Sequence, residues 1–209
     1  MFIASIGVFA CIKIDSLAYF YKGCKLMLQW LRQKVLEWSR PASVEAETLY
    51  SQLANATRNP DIYHSYHIED SFDGRFDTVC LFAALMVRRL TRIGNDGKAR
   101  AQELTDTMFA DMDLSLHEIG VSENKVSKKV KVMATAFVGR LQAYGQALDA
   151  DDQNALADAL RRNLYRDRDM GGIEHALSKV VMATAKQLDK QSDISLMQGQ
   201  IDIGLTLKA

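Results

Sequence analysis

The spacing of apolar residues along the chain predicts helices. The clearest stripe follows Ser122 and places an apolar residue at every third or fourth position: Val126, Val130, Met133, Phe137, Leu141, Tyr144 and Leu148. Intervals of three and four put side chains on one face of an α-helix. We therefore predict a long helix that begins at Ser122 and buries this stripe in a core.

A second segment, from Arg75 to Leu90, is apolar nearly all round its predicted helix. A helix without a polar face is typical of the centre of a bundle. The segment is too short to cross a bilayer, and Arg88 and Arg89 stand near its end. We predict that it forms the central helix of the domain.

Shorter apolar stripes predict the remaining helices. One begins at Ser43, which can act as its N-cap. Another carries apolar residues over 101–112 and is expected to stop before a separate short segment at 114–119. Another is predicted to start at Asp151, with leucines at helical spacing, and a last helix is predicted from about Ile173 to Leu188.

Composition agrees with this pattern. The 209 residues include only two prolines and twelve glycines, too few for the frequent turns of a β-sandwich. The sequence therefore predicts an all-α fold, a single irregular helical bundle of about six to eight helices. We divide the chain into an N-terminal apolar or amphipathic segment (1–40), a helical domain (43–191) and a C-terminal tail (192–209). The tail alternates only loosely, which predicts an extended or disordered conformation.

The N-terminal segment is open to three interpretations. Its apolar stretches are interrupted by Lys13 and Asp15 and are shorter than a membrane-spanning helix requires. The segment could be an interfacial anchor, because lysines flank its aromatic residues. It could also be an extra helix packed on the domain. The third interpretation is that translation starts at Met27 and the upstream residues are not made.

Charge and motifs exclude several function classes. Lys plus Arg equals Asp plus Glu at 26 each, so the basic excess of a DNA-binding protein is missing. Three cysteines without a CxxC pair fit a reducing compartment. No zinc-protease motif, phosphate-binding loop or nucleophile elbow occurs, so we expect no catalytic residue, cofactor or metal. The alternative is an enzyme with a metal site at His64, His67 and His117.

A run of lysines is the strongest candidate for partner binding. It comprises Lys125, Lys128, Lys129 and Lys131, and on the predicted helix Lys128 and Lys131 point away from the apolar stripe. Such a face suits an acidic protein, ribosomal RNA or anionic lipid. The alternative is an ordinary solvated helix face.

Arg140 differs from the lysines, since it lies at the edge of the apolar stripe. A partly buried arginine requires a carboxylate, which Asp77, Asp111 or Asp113 could supply. We also expect the neighbouring Gly139 to permit the close approach of another helix, because it has no side chain.

A series of short motifs runs from Leu49 to Tyr165. It includes the run Asp73-Gly74-Arg75-Phe76-Asp77, in which Asp73 is expected to cap a helix. The other motif residues follow in order: Asp111, Asp113, Glu118, Gly120, Phe137, Gly139, Arg140, Tyr144, Arg162, Asn163 and Tyr165. In number and order these motifs resemble the ubiquinol–cytochrome c chaperone family. The chain departs from the family pattern at His117, where the family has Arg, and at Phe82, where it has His.

The resemblance implies an all-helical assembly chaperone of respiratory complex III that is not an enzyme. It implies that the partner is newly made cytochrome b or another complex III subunit, and it allows contacts with the ribosome, a small partner subunit or the inner membrane. The rival interpretation is a helical RNA-binding protein or a membrane-peripheral scaffold. We expect a location in the bacterial cytoplasm, peripheral to the inner membrane, with the matrix side of the mitochondrial inner membrane as the alternative.

Overall fold

The computed structural model describes residues 42–202, which form eight helices and no strand. In chain order the helices are α1 (Val44–Thr57), α2 (Pro60–Ser65), α3 (Phe72–Thr91), α4 (Asn95–Glu118), α5 (Glu123–Asp149), α6 (Gln153–Asn163), α7 (Ile173–Lys190) and α8 (Asp193–Met197). The prediction of an all-α bundle of six to eight helices is confirmed. The predictions for residues 1–40 lie outside the described residues.

Helix α3 forms the centre of the bundle, as its apolar pattern predicts. Every residue from Phe76 to Val87 is buried, and the helix packs against α1, α4, α5 and α7. Each fully buried large apolar side chain contributes about 1.5–3 kcal/mol relative to an exposed one. Helix α3 therefore supplies much of the hydrophobic free energy that holds its neighbours in place.

The apolar stripe predicted after Ser122 forms the buried face of α5. Ser122 is the N-cap residue, and Phe137 and Tyr144 are almost fully buried. The ring of Phe137 packs edge-to-face on that of Phe109 in α4, with 5.8 Å between the ring centroids. This contact joins the two helices of an α4–α5 hairpin, and the opposite face of α5 is left to solvent.

Helix α4 is longer than the sequence pattern predicts. The expected break before 114–119 does not occur, and the helix continues to Glu118. Leu116 is fully buried, so continuing the helix keeps an apolar side chain in the core. The helix ends before Gly120, whose φ of 83° is easily adopted by glycine.

The described part of the tail, residues 192–202, is more ordered than its loose alternation predicts, because residues 193–197 form α8 and Leu196 is fully buried. The buried Arg89 of α3 anchors this region. Its guanidinium donates to the carbonyl oxygens of Leu188 and Gln191, at 2.9 and 2.7 Å, and to the Asp193 carboxylate at 2.5 Å. The arginine thereby satisfies carbonyl groups at the C-terminal end of α7 and fixes the start of α8.

None of the helices between residues 42 and 202 is long and apolar enough to cross a membrane.

Candidate partner-binding surface

Four exposed lysines lie in the N-terminal third of α5: Lys125, Lys128, Lys129 and Lys131. We call this set the lysine face. None of the four forms an ion pair with another residue between 42 and 202. Arginines such as Arg88 and Arg100, by contrast, are engaged with acidic side chains. The positive charge of the lysine face is therefore available to a partner.

Exposed apolar side chains lie beside the lysine face. Val132 is 69% exposed and lies about 20° from Lys125 and about 40° from Lys128 around the α5 axis. Ile119, in the turn before α5, is 58% exposed, and Leu114 on α4 is 62% exposed. The end of the α4–α5 hairpin therefore combines cations that have no ion-pair partner among residues 42–202 with apolar groups in contact with water.

Arg140 is held by a buried carboxylate, as its position on the stripe predicts. Its Nη2 donates to Asp77 Oδ1 at 2.6 Å, and the two side chains are only 11% and 5% exposed. The guanidinium also lies over the Phe76 ring, 5.7 Å from its centroid. Of the three predicted partners, the structure selects Asp77, so this pair joins α3 to α5.

A second arginine, which the sequence analysis missed, approaches the same carboxylate. Arg166 Nη2 lies 3.4 Å from Asp77 Oδ2 and 3.6 Å from Asp73 Oδ2. Burial raises the pKa of Asp77 to about 6, while the charges of Arg140 and Arg166 oppose that rise. Arg166 follows α6 with a positive φ of 51°, a loop conformation that no periodicity predicts.

Asp73 does not cap α3, which corrects the sequence interpretation. The N-cap is Ser71, whose hydroxyl accepts a hydrogen bond from the Gly74 N–H at 3.2 Å, while Asp73 is exposed in the first turn. Gly74 is required sterically, because a Cβ there would lie 1.9 Å from the Glu69 carbonyl oxygen. This run thus contains both the start of the central helix and one half of the buried ion pair.

Arg75, in the middle of that run, is on the surface. It pairs with Asp70 at 2.6 Å, with side chains 58% and 55% exposed, and its guanidinium lies 5.9 Å from the centroid of the Tyr63 ring. Exposed pairs contribute about 0–1 kcal/mol. The role of Arg75 is therefore peripheral to the packing of the bundle.

The predicted acidic pair on α4 is divided between two partners. Asp111 accepts a hydrogen bond of 2.5 Å from the hydroxyl of Tyr50 in α1, whereas Asp113 lies 3.6 Å from His117 one turn later. Burial and the Asp111 carboxylate raise the pKa of Tyr50. Asp111 thus links α1 to α4. Glu118, the following motif residue, is exposed in the last turn of α4.

The remaining motif residues lie around the junction of α5, α6 and the loop after it. Tyr144 is buried, and Tyr165 donates from its hydroxyl to the carbonyl oxygen of Tyr66 at 2.8 Å. The carbonyl of Asn163 accepts a hydrogen bond of 3.4 Å from Arg140, while Arg162 is exposed. Most of this part of the motif series therefore stabilises the fold.

The prediction for Gly139 is wrong within the described residues. This glycine is exposed on α5, and a Cβ added to it would meet nothing within 4 Å. A nearby groove of about 240 Å³ lies between α3 and α5 and has small and apolar residues such as Ala84, Val138 and Gly145 in its lining. Glycine at position 139 is not required by a neighbouring helix.

The histidines do not form a metal site in the part of the chain that the structure describes. His64 Nδ1 lies 2.9 Å from the Pro60 carbonyl oxygen, and His117 lies beside Asp113. Across residues 42–202, no group of three or more His, Cys, Asp or Glu residues is arranged to hold a metal ion.

Fold and surface together define a helical bundle protein with an open basic face. A family model described as ubiquinol-cytochrome C chaperone matches residues 64–203. That match covers more than half of the chain, so the chain belongs to the ubiquinol–cytochrome c chaperone family. Membership implies a role in the assembly of complex III, and the family resemblance seen in the sequence motifs is confirmed.

A solved structure supports the same conclusion. The crystal structure of the Cbp3 homolog from Brucella abortus is similar to this chain, with a TM-score of 0.69 and 32% sequence identity. The similarity covers 85% of this chain and 97% of that one. No curated protein matches the chain.

Proposed function

We propose that this protein holds newly made cytochrome b during the assembly of complex III and does not itself catalyse a reaction. Membership of the chaperone family, through residues 64–203, carries the proposal. The helical domain 43–191 would be the chaperone unit. Its action would take place on the cytoplasmic side of a bacterial inner membrane, a setting supported by the similarity to a bacterial homolog.

The contrast between buried motif residues and exposed lysines supports a binding role for the lysine face. Asp77, Arg140, Tyr144 and Tyr165 are used in packing and in buried polar contacts. The lysine face is exposed and forms no ion pair within the part of the chain that the structure describes. A charged surface of this kind steers and positions a partner of opposite charge. We propose that the lysine face binds a negatively charged partner at the place where complex III is assembled.

Deletion of the gene tests the function. We expect the b-type haem signal of reduced membranes and the ubiquinol–cytochrome c reductase activity to fall together, while the cytochrome b transcript is unchanged. A plasmid copy of the wild-type gene should restore both. Normal haem and normal activity in the deletion strain would mean that the protein is not needed for assembly of the complex.

Complementation with charge-reversed variants tests the lysine face. The variant Lys125→Glu/Lys128→Glu/Lys131→Glu should fail to restore reductase activity. A control with the same change in charge reverses three exposed lysines of α7, Lys179, Lys186 and Lys190, and should restore it. Lys186 pairs with Asp151 at 2.8 Å, but both side chains are more than half exposed, so the loss of this pair should cost only about 0–1 kcal/mol. Equal complementation by both variants would show that the lysine face has no role in assembly.

A further inference from the structure

We infer that the end of the α4–α5 hairpin docks on an anionic phospholipid bilayer through the lysine face and the apolar side chains beside it. This inference rests on the proposed function and names the partner of the same surface. It follows from a combination that a charged face alone would not provide, namely lysines without an ion-pair partner among residues 42–202 and exposed apolar groups on the same hairpin.

The charge at this end of the hairpin favours an anionic surface as the partner. The lysine face carries four cations without an ion-pair partner among residues 42–202. The acids close to it in sequence are Glu118, at the end of α4, and Glu123, at the start of α5. The surplus at this end of the hairpin is therefore positive, although the whole chain has a formal net charge of zero. Lysines held near an anionic membrane surface are attracted to it over about a Debye length.

The positions of the exposed apolar side chains favour a lipid surface. Five large apolar side chains are strongly exposed among residues 42–202, and three of them, Leu114, Ile119 and Val132, belong to the α4–α5 hairpin. Val132 lies between Lys125 and Lys128 around the helix axis, so both kinds of side chain face the same direction. An RNA phosphate backbone is recognised mainly through cations. A lipid interface uses cations and apolar side chains together, which is the combination found here.

The surface of an anionic bilayer can bind both kinds of side chain. Interfacial segments place apolar side chains at the boundary of headgroups and acyl chains while lysines contact the anionic headgroups. Long lysine side chains can extend their charge to the headgroups while their methylene groups lie along the apolar region. The lysine face, Val132 and Ile119 offer both elements, and the exposed turn between α4 and α5 presents them at one end of the bundle.

Vesicle flotation with the full chain tests this assignment. The wild-type protein should bind vesicles that contain phosphatidylglycerol more tightly than vesicles of phosphatidylcholine alone, and salt should weaken the binding. Since each lysine near an anionic surface contributes about fivefold, Lys125→Gln/Lys128→Gln/Lys131→Gln should lose on the order of 100-fold in affinity. Lys179→Gln/Lys186→Gln/Lys190→Gln, with the same change in charge on α7, should bind like the wild type.

The apolar contribution is tested without changing the charge. Val132→Ser and Ile119→Ser should each weaken vesicle binding by about tenfold. Circular dichroism should be unchanged, because both side chains are exposed. Residues 1–41 are present in every variant, so differences between variants report the hairpin and not that segment.

A capture experiment in detergent separates this inference from the proposed function. The three-lysine Gln variant should still retain cytochrome b from solubilised membranes, because lipid docking is not needed there. Three results would overturn the inference: equal binding of the wild type to both kinds of vesicle, unchanged vesicle binding by the variant, or loss of cytochrome b capture with vesicle binding intact. If the wild type captures no cytochrome b, the proposed client is wrong, and the vesicle measurements still decide the docking surface.

Discussion

Replacing Arg140 with methionine removes the positive end of the buried pair with Asp77 while keeping an unbranched side chain. Breaking a buried pair by removing one partner typically costs about 3–5 kcal/mol, because the other charge is left without compensation. Here the cost should be smaller, about 2–3 kcal/mol. Asp77 keeps Arg166 at 3.4 Å, and its carboxyl, with a pKa already raised to about 6, can take up a proton.

The reverse substitution should be worse. Asp77→Leu leaves the Arg140 guanidinium 11% exposed, with the Asn163 carbonyl at 3.4 Å as its remaining hydrogen-bond acceptor. Its Nε is already buried without a hydrogen-bond partner among the described residues. Arginine does not lose its proton, so this charge remains, and we expect a loss of about 3–5 kcal/mol.

The double variant completes the cycle. Arg140→Met/Asp77→Leu replaces both charges with apolar groups, a change that is often nearly neutral for a buried pair. It should therefore recover most of the stability lost in Asp77→Leu, with a coupling energy of about 2 kcal/mol or more. Urea unfolding followed by circular dichroism measures the four free energies, provided that the slope of the transition is unchanged.

Arg75→Met is the matched control, because the pair of Arg75 with Asp70 has the same 2.6 Å separation but is more than half exposed. It should lose less than about 1 kcal/mol. Two results would refute the reasoning: a loss for Arg75→Met equal to that for Arg140→Met, or additive effects of the two single substitutions at the buried pair. Either result would mean that burial does not set the strength of these contacts.

Three further predictions concern stability. Gly139→Ala should stabilise the protein by about 1 kcal/mol, since the added methyl meets no neighbour, whereas Gly74→Ala should destabilise it; thermal unfolding compares the two. Burial raises the pKa of Asp106 to about 6, above its unfolded value of about 3.9. Between these two pH values the folded state binds more protons than the unfolded state, so the free energy of unfolding should fall as the pH rises from about 4 to 6. Asp106→Asn should reduce this slope, leaving the part that Asp77 contributes in the same window, and should be more stable by about 1–2 kcal/mol at pH 7. A slope that is unchanged in the variant would assign it to other groups. Arg89→Met should cost about 2–3 kcal/mol and speed amide hydrogen exchange in α8; unaltered exchange there would show that the arginine does not hold it.

The sequence by itself determined the fold class and the order of the helices. Local rules were sufficient for this, because the period of the apolar stripe after Ser122 and the uniformly apolar run of α3 each report on one helix and its burial. The charge of Arg140, close to an apolar stripe, likewise required a carboxylate whatever the topology. The lysine face could also be predicted, since helical geometry points Lys128 and Lys131 away from the apolar stripe.

Only the tertiary structure decided which groups meet. Asp77, Asp111 and Asp113 were equivalent partners for Arg140 on the sequence, and the packing of α3 against α5 chose Asp77. The approach of Arg166 and the anchoring of α8 by Arg89 join residues about 90 to 100 positions apart, a separation over which periodicity carries no information. The exposure of Val132 beside the lysine face also required the tertiary structure, because whether a helix face is covered depends on which neighbours the bundle places against it.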